Sequence, residues 1–162
     1  MDILRIPAAG LDDIAIEPGQ ITVIAADRQS GKSTFAAQLA QAWSPDLKVA
    51  LCTHYRGVLP NDAKCAAYDV MFQYSYEIDE FSRKMLTLRP DVIILDEIYL
   101  APRNPRFPAS SDVFSLEALA ERLRIPIVCV ISRNPLVDAL LAATTVHLFD
   151  NELPEIGKEA RA

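Results

Sequence analysis

Short apolar runs alternate along this chain with segments of helical period, and that alternation limits the fold more than any other feature. Ile21-Thr22-Val23-Ile24-Ala25-Ala26 follows the turn Glu17-Pro18-Gly19 and reads as a buried strand. Phe35, Leu39 and Trp43 then recur every four residues, with Ala36 and Ala40 between them, which is one face of a helix starting at Lys32. Ser44-Pro45-Asp46 stops it. Lys48 to Thr53 is a second apolar strand, Asp91 to Leu95 a third, Pro126 to Ile131 a fourth and Thr145 to Phe149 the last. Between them, helical spacing predicts helices over Glu77–Leu88, Val113–Leu123 and Leu136–Ala142. Val70, Phe72, Tyr74 and Tyr76 alternate as an edge strand would, after a loop over Arg56–Lys64. Strands that are apolar throughout, separated by helices, predict a mostly parallel sheet covered on both faces: an α/β fold of three α-β-α layers.

At 162 residues the chain is one domain, with Met1–Pro18 an extended lead-in and 151–162 a flexible polar tail. It is 51% hydrophobic, enough for a full core, so disordered, collagen-like and small disulfide-scaffold classes are excluded. Its net charge of -6 does not suit wholesale wrapping of nucleic acid; any such contact needs a local basic loop. The three cysteines, Cys52, Cys65 and Cys129, lack metal-ligand spacing. Cys52 and Cys129 lie in apolar runs, where a reduced thiol acts as a small hydrophobe. No leader-like or membrane-spanning stretch stands out, and the reading is of a cytoplasmic protein with no membrane partner.

Ala26-Asp27-Arg28-Gln29-Ser30-Gly31-Lys32-Ser33, followed by Thr34, fits the phosphate loop G-x-x-x-x-G-K-[ST], with Ala at its first position. A buried strand enters it and an amphipathic helix leaves it, which is the context the chemistry needs. Backbone N–H groups and the positive end of the helix face an anion. Gly31 lets the main chain approach a phosphate, Lys32 supplies a point charge, and Ser33 offers a hydroxyl to Mg2+. Asp91-Val92-Ile93-Ile94-Leu95-Asp96-Glu97 is an apolar strand ending in acids. Asp96 at its carboxyl end is a second ligand for Mg2+, and Glu97 is placed to polarise a water against the γ-phosphate.

RIPAAGLDDIAIEPGQITVIAADRQSGKSTFAAQLA resembles the opening of the RecA-like P-loop NTPase core, especially the replicative hexameric helicases and KaiC-type proteins. Ser115–Val128 resembles the helix and strand that follow their second acidic motif, and Ala143–Phe149 their last core strand. That resemblance implies Mg-dependent ATP binding and hydrolysis, and a role as an accessory or motor subunit on single- or double-stranded DNA. It also implies a homo-oligomer or a larger ATPase assembly. The chain departs from those helicases where they carry a catalytic Glu at the end of the second strand. Cys52-Thr53-His54-Tyr55 stands there instead. Their Gln after the fourth strand aligns with Arg133, in Ile131-Ser132-Arg133-Asn134. Arg28 within the loop, with Asp96-Glu97, is also similar to the ATPase half of viral terminase large subunits. There the loop arginine serves the transition state and the Glu after the metal Asp is the base.

Lys32, Glu97, Arg28 and Arg133 are thus the catalytic candidates, with Ser132 a polar sensor of the γ-phosphate region. Arg103, Arg106 and Phe107, in the proline-rich stretch Ala101–Asp112, form the one basic–aromatic loop suited to a nucleic-acid strand. Two other functions fit the same residues. One is a small-molecule kinase or corrinoid adenosyltransferase, with Ala101–Asp112 as its lid. The other is a nucleotide-sensing module without catalysis, which the missing second-strand acid favours.

Overall fold

The computed structural model describes residues 4–8, 10–26, 31–44, 46–52, 65–68, 83–96, 120–132, 145–149 and 156. Its centre is a six-stranded sheet built from β3 (Ile21–Ala26), β4 (Val49–Cys52), β5 (Cys65–Tyr68), β6 (Val92–Asp96), β7 (Ile127–Ser132) and β8 (Thr145–Phe149). The strand order is β5-β4-β6-β7-β3-β8, and every neighbouring pair is parallel. Parallel neighbours require crossover connections. Helix α1 (Lys32–Trp43) joins β3 to β4.

The pleat divides the buried side chains into two layers. Ile24, Val49, Leu51, Val92, Ile94, Val128 and Val130 face α1 and pack with its Phe35, Ala36, Leu39, Ala40 and Trp43. Their chain neighbours Val23, Ala50, Ile93, Leu95, Ile127 and Cys129 face the other way, onto Met85 and Ala120. Those two residues belong to helical stretches at 83–88 and 120–123, within the helices expected over 77–88 and 113–123. The sheet is therefore covered on both faces, as runs without alternation require.

Several expected boundaries move for identifiable reasons. Lys48 stays outside its strand: its N–H donates to Asp91 Oδ2 at 2.7 Å and its Nζ donates to the carbonyl of Leu88. Asp91 is held in that clasp and β6 begins one residue later, running on to include Asp96. Pro126 has no N–H to give, so β7 starts at Ile127 and takes in Ser132.

The lead-in is more structured than an extended segment. β1 (Leu4–Arg5) and β2 (Ala15–Ile16) pair antiparallel, with Leu4 opposite Ile16. Ile6, Ala8, Leu11 and Ile16 are buried in the α1-side core, and the Trp43 indole N–H donates to the Arg5 carbonyl at 3.1 Å. Apolar residues at 4, 6, 8, 11, 14 and 16 have no single period, which is why a sequence pattern reads them as lead-in. Ile156, in the expected tail, packs against the same core. β5 leaves no pattern in the sequence, since Cys-Ala-Ala-Tyr is short and alanine favours strands little. The strand expected over 70–76, the loop 56–64 and the helix 136–142 lie outside the described residues.

Candidate functional site

In a parallel sheet, ligands sit beyond the carboxyl ends of the strands, where successive connections leave toward opposite faces. β3 leads into α1 on one face, while the chain leaving β6 reaches the 120–123 helix on the other. β7 lies between these two strands. Ala26, the last residue of β3, is level with Ser132 at the end of β7. Asp96, the last residue of β6, is level with Val130. The edge thus reads Asp96, Ser132, Ala26 across three adjacent strands, spanning two strand spacings or about 10 Å.

Each described member of the phosphate-loop motif has a distinct setting. Ala26 is fully buried and flanked by strands on both sides, so a small residue fits where the chain turns out of the sheet. Gly31 is the N-cap of α1 with φ 83° and ψ 26°, the left-handed region that glycine enters without penalty. A Cβ built there meets nothing within 4 Å among the described residues. α1 has no side-chain cap and no acidic residue in its first turn, leaving the positive end of the helix uncompensated by the helix itself. That is the local requirement for receiving an anion. Lys32, the first helical residue, is only 5% exposed. Ser33 is half-buried and Thr34 exposed.

Asp96 is 3% exposed. Strand alternation puts it on the face of Val92 and Ile94, the face that α1 covers. Lys32 and Asp96 are therefore at one end and on one side of the sheet. They are the two charged side chains buried among the described residues. Next to β6, β4 ends in Cys52, which is buried and level with Leu95. Cys52 opens the stretch Cys52-Thr53-His54-Tyr55, which contains no acid.

The donor chemistry suits Mg2+. A hydroxyl from Ser33 and a carboxylate from Asp96 are hard oxygen ligands, and Mg2+ is commonly held by one or two carboxylates together with phosphates and water. Among the described residues no cluster of three or more His, Cys, Asp or Glu forms a cage of protein ligands. Asp27, Arg28, Gln29, Ser30, Glu97, Arg133, Arg103, Arg106 and Phe107 lie outside the described residues, as does His54. Of the sequence-derived set, Ala26, Gly31, Lys32, Ser33 and Asp96 are described, and β3 and β6 end on the same edge of the sheet with β7 between them. What the sequence had no signal for is the position of β7 between the two motif-bearing strands. Among the described residues no helix is long and apolar enough to cross a membrane.

No protein-family model matches this chain, and no curated protein matches it either.

Proposed function

We propose that the chain is a RecA-like P-loop ATPase that binds Mg·ATP between the loop 26–33 and Asp96 and hydrolyses it. One observation carries the reading: a lysine that follows a left-handed glycine is buried at an uncapped helix N-terminus, on the same sheet face as a buried strand-end aspartate. Buried charges are costly, and a site that keeps one of each sign is built for a ligand carrying both an anion and a cation.

In this reading the N–H groups at the start of α1 and Lys32 hold the β- and γ-phosphates. Ser33 and Asp96 hold Mg2+, which when bound neutralises charge on the phosphates. Glu97 orients the attacking water and accepts its proton. Arg28 from the loop, or Arg133 just after β7, stabilises the charge that develops on the transferred group, a contribution worth about 10³–10⁵ in rate. Arg103, Arg106 and Phe107, in the stretch after Asp96-Glu97, would contact a DNA strand, making the protein an accessory or motor subunit whose grip follows its nucleotide state.

Equilibrium binding of ATP with Mg2+, together with phosphate release in the absence of any acceptor, tests the core of this. Lys32→Ala should lose at least about a hundredfold in ATP affinity, roughly what two hydrogen bonds to a charged group supply. Glu97→Gln should bind ATP as the parent does and stop releasing phosphate, because an amide holds a water without taking its proton. Because Lys32 is buried, melting of the unliganded variants is recorded alongside. Unchanged ATP affinity in a folded Lys32→Ala protein rejects the site. The lack of an acid in Cys52-Thr53-His54-Tyr55, at the end of the second apolar strand, favours a second reading, a nucleotide-sensing module; tight ATP binding with no phosphate release selects it.

A further inference from the structure

Arg89 and Arg124 end the helical stretches at 83–88 and 120–123, which cover the sheet face opposite α1. Ile93 of β6 is level with Ile127 of β7, so the two arginines, four and three residues earlier, stand at the amino-terminal edge of adjacent strands. Their backbones lie between one strand spacing, about 5 Å, and one helix spacing, about 10 Å, apart. Both are exposed, and both hold left-handed backbone, φ 49° and 57°, at the place where helices usually put glycine. That backbone strains an L-residue and does not strain glycine. Among the described residues neither guanidinium takes part in a hydrogen bond or an ion pair. Capping does not account for Arg89 either, because Lys48 Nζ already donates to the Leu88 carbonyl at that helix end. Strain kept at two neighbouring positions, with nothing inside the fold to offset it, points outward to a ligand.

The surrounding charge narrows the ligand. Residues 83–89 and 120–124 carry Arg83, Lys84, Arg89, Arg122 and Arg124 against Glu121 alone, all exposed. The chain as a whole runs the other way, with 22 acids and 16 bases. Of the acids at this edge, Asp91 accepts the Lys48 N–H at 2.7 Å, while Glu17 and Asp46 flank it in the turns before β3 and β4. The apolar side chains among the cations, Leu88, Leu123 and Ile125, are half-buried against the core. A protein partner or a membrane needs an exposed apolar anchor, and these stretches show none. They show no aromatic ring on which a single strand could stack its bases either. Guanidinium forks match phosphate oxygens two at a time, and protein–nucleic acid interfaces are polar and positive.

We propose that Arg89 and Arg124, supported by Arg83 and Arg122, form a surface that binds the phosphate backbone of a DNA duplex, at the edge of the sheet opposite the candidate nucleotide site. This deepens the reading of DNA as a partner and rests on it, but places a contact on a different surface from Arg103, Arg106 and Phe107. Backbone contacts position a duplex without reading its sequence, so the binding is sequence-tolerant. Nucleotide and duplex occupy opposite strand ends and do not compete for the same groups.

The test is binding of the full chain to a short DNA duplex of mixed sequence, without nucleotide, by fluorescence anisotropy over a range of salt. The parent should bind at low salt, and four phosphate contacts should give log affinity against log salt a slope of roughly −3 to −4. Arg89→Gly combined with Arg124→Gly should bind at least about tenfold more weakly at low salt, with the slope flattened by about 2, one contact per arginine. Urea unfolding of that variant should show stability equal to the parent's or higher, since glycine relieves the backbone. If it is less stable, Arg89→Gln combined with Arg124→Gln decides: weaker binding supports the surface and equal binding overturns it. Unchanged affinity and slope in a folded glycine variant overturn the proposal. So does a parent that fails to bind duplex at low salt, or one that binds a polyglutamate peptide more tightly, which assigns the surface to an acidic protein. Retained binding in the glycine variant with loss in Arg103→Ala combined with Arg106→Ala also overturns it, and leaves the contact after Asp96-Glu97 standing. Nucleotide is left out, so a failure of the ATP site is read in its own assay and does not enter this one.

Discussion

Gly31 carries φ 83°, and the carbonyl it presents accepts the Phe35 N–H at 2.8 Å, so its conformation starts α1. Among the described residues nothing lies within 4 Å of a Cβ built there, and the left-handed backbone by itself strains an L-residue. Gly31→Ala should therefore lower stability by about 1–2 kcal/mol, the penalty of left-handed backbone for an L-residue. Urea unfolding measures it, and a variant as stable as its parent would mean the turn has been rebuilt. The identity of this glycine was legible in the sequence from the motif alone, because the reason for it is local. The burial of Lys32, the very next residue, was not. A lysine in a motif carries no label for how much sheet and helix will enclose it.

Among the described residues two arginines hold positive φ angles, Arg89 at 49° and Arg124 at 57°. Each follows a helical stretch, and each N–H closes the last turn, onto Met85 at 2.8 Å and onto Ala120 at 2.9 Å. These are helix ends of the kind that glycine usually occupies. Arg124 is exposed, so little packing is lost if it changes. Arg124→Gly should stabilise the fold by about 0.5–1 kcal/mol, the relief of left-handed strain less the added freedom of the unfolded chain. A rise in melting temperature is the expected result; a fall would show that the arginine side chain contributes more than its backbone costs. Both ends precede a proline, in Arg89-Pro90 and Arg124-Ile125-Pro126, and that signal marks the helix stops correctly. By contrast β1, β2 and β5 left no readable pattern. Each is too short for a period to appear, and each exists because a neighbour offers its backbone a partner.

The sheet sets the behaviour of the cysteines for the molecule as a whole. Cys52 and Cys129 lie on one face with Leu95 of β6 between them, two strand spacings or about 10 Å apart. That is beyond disulfide reach, so the two do not bond to one another. Burial pushes the Cys129 thiol up to about 12 from its ordinary 9.0. The sign of its effect follows directly. Between these values the unfolded chain sheds the proton while the folded one keeps it, so stability is fully present below pH 9 and falls as pH rises toward 12. The steepest decline from this group is about 1.4 kcal/mol per pH unit. Unfolding by urea at pH 8, 9.5 and 10.5 checks it, with Cys129→Ala as the control that removes this contribution. An identical slope in that variant would assign the alkaline loss to other groups. The same burial predicts that thiol reagents label Cys129 at the rate of unfolding and no faster.

Periodicity along the chain is enough for the class of the fold, an α/β chain with a mostly parallel sheet. The sequence also marks the residues that turn a strand into a helix through Gly31 and Lys32, and the strand that ends in Asp96. These are local properties: periodicity records which faces are covered, and a turn residue records its own backbone angle. The strand order, the seating of β7 between β3 and β6, and the folding of residues 4–16 onto α1 were decided only by the tertiary structure. So was the enclosure of Lys32 and Asp96 on one face. Which strand lies beside which depends on crossover handedness and on contacts between residues far apart in the chain, and neither leaves a period to read. A charge becomes buried only when distant elements close over it, so the feature that most favours a ligand site here is one that no stretch of the sequence contains.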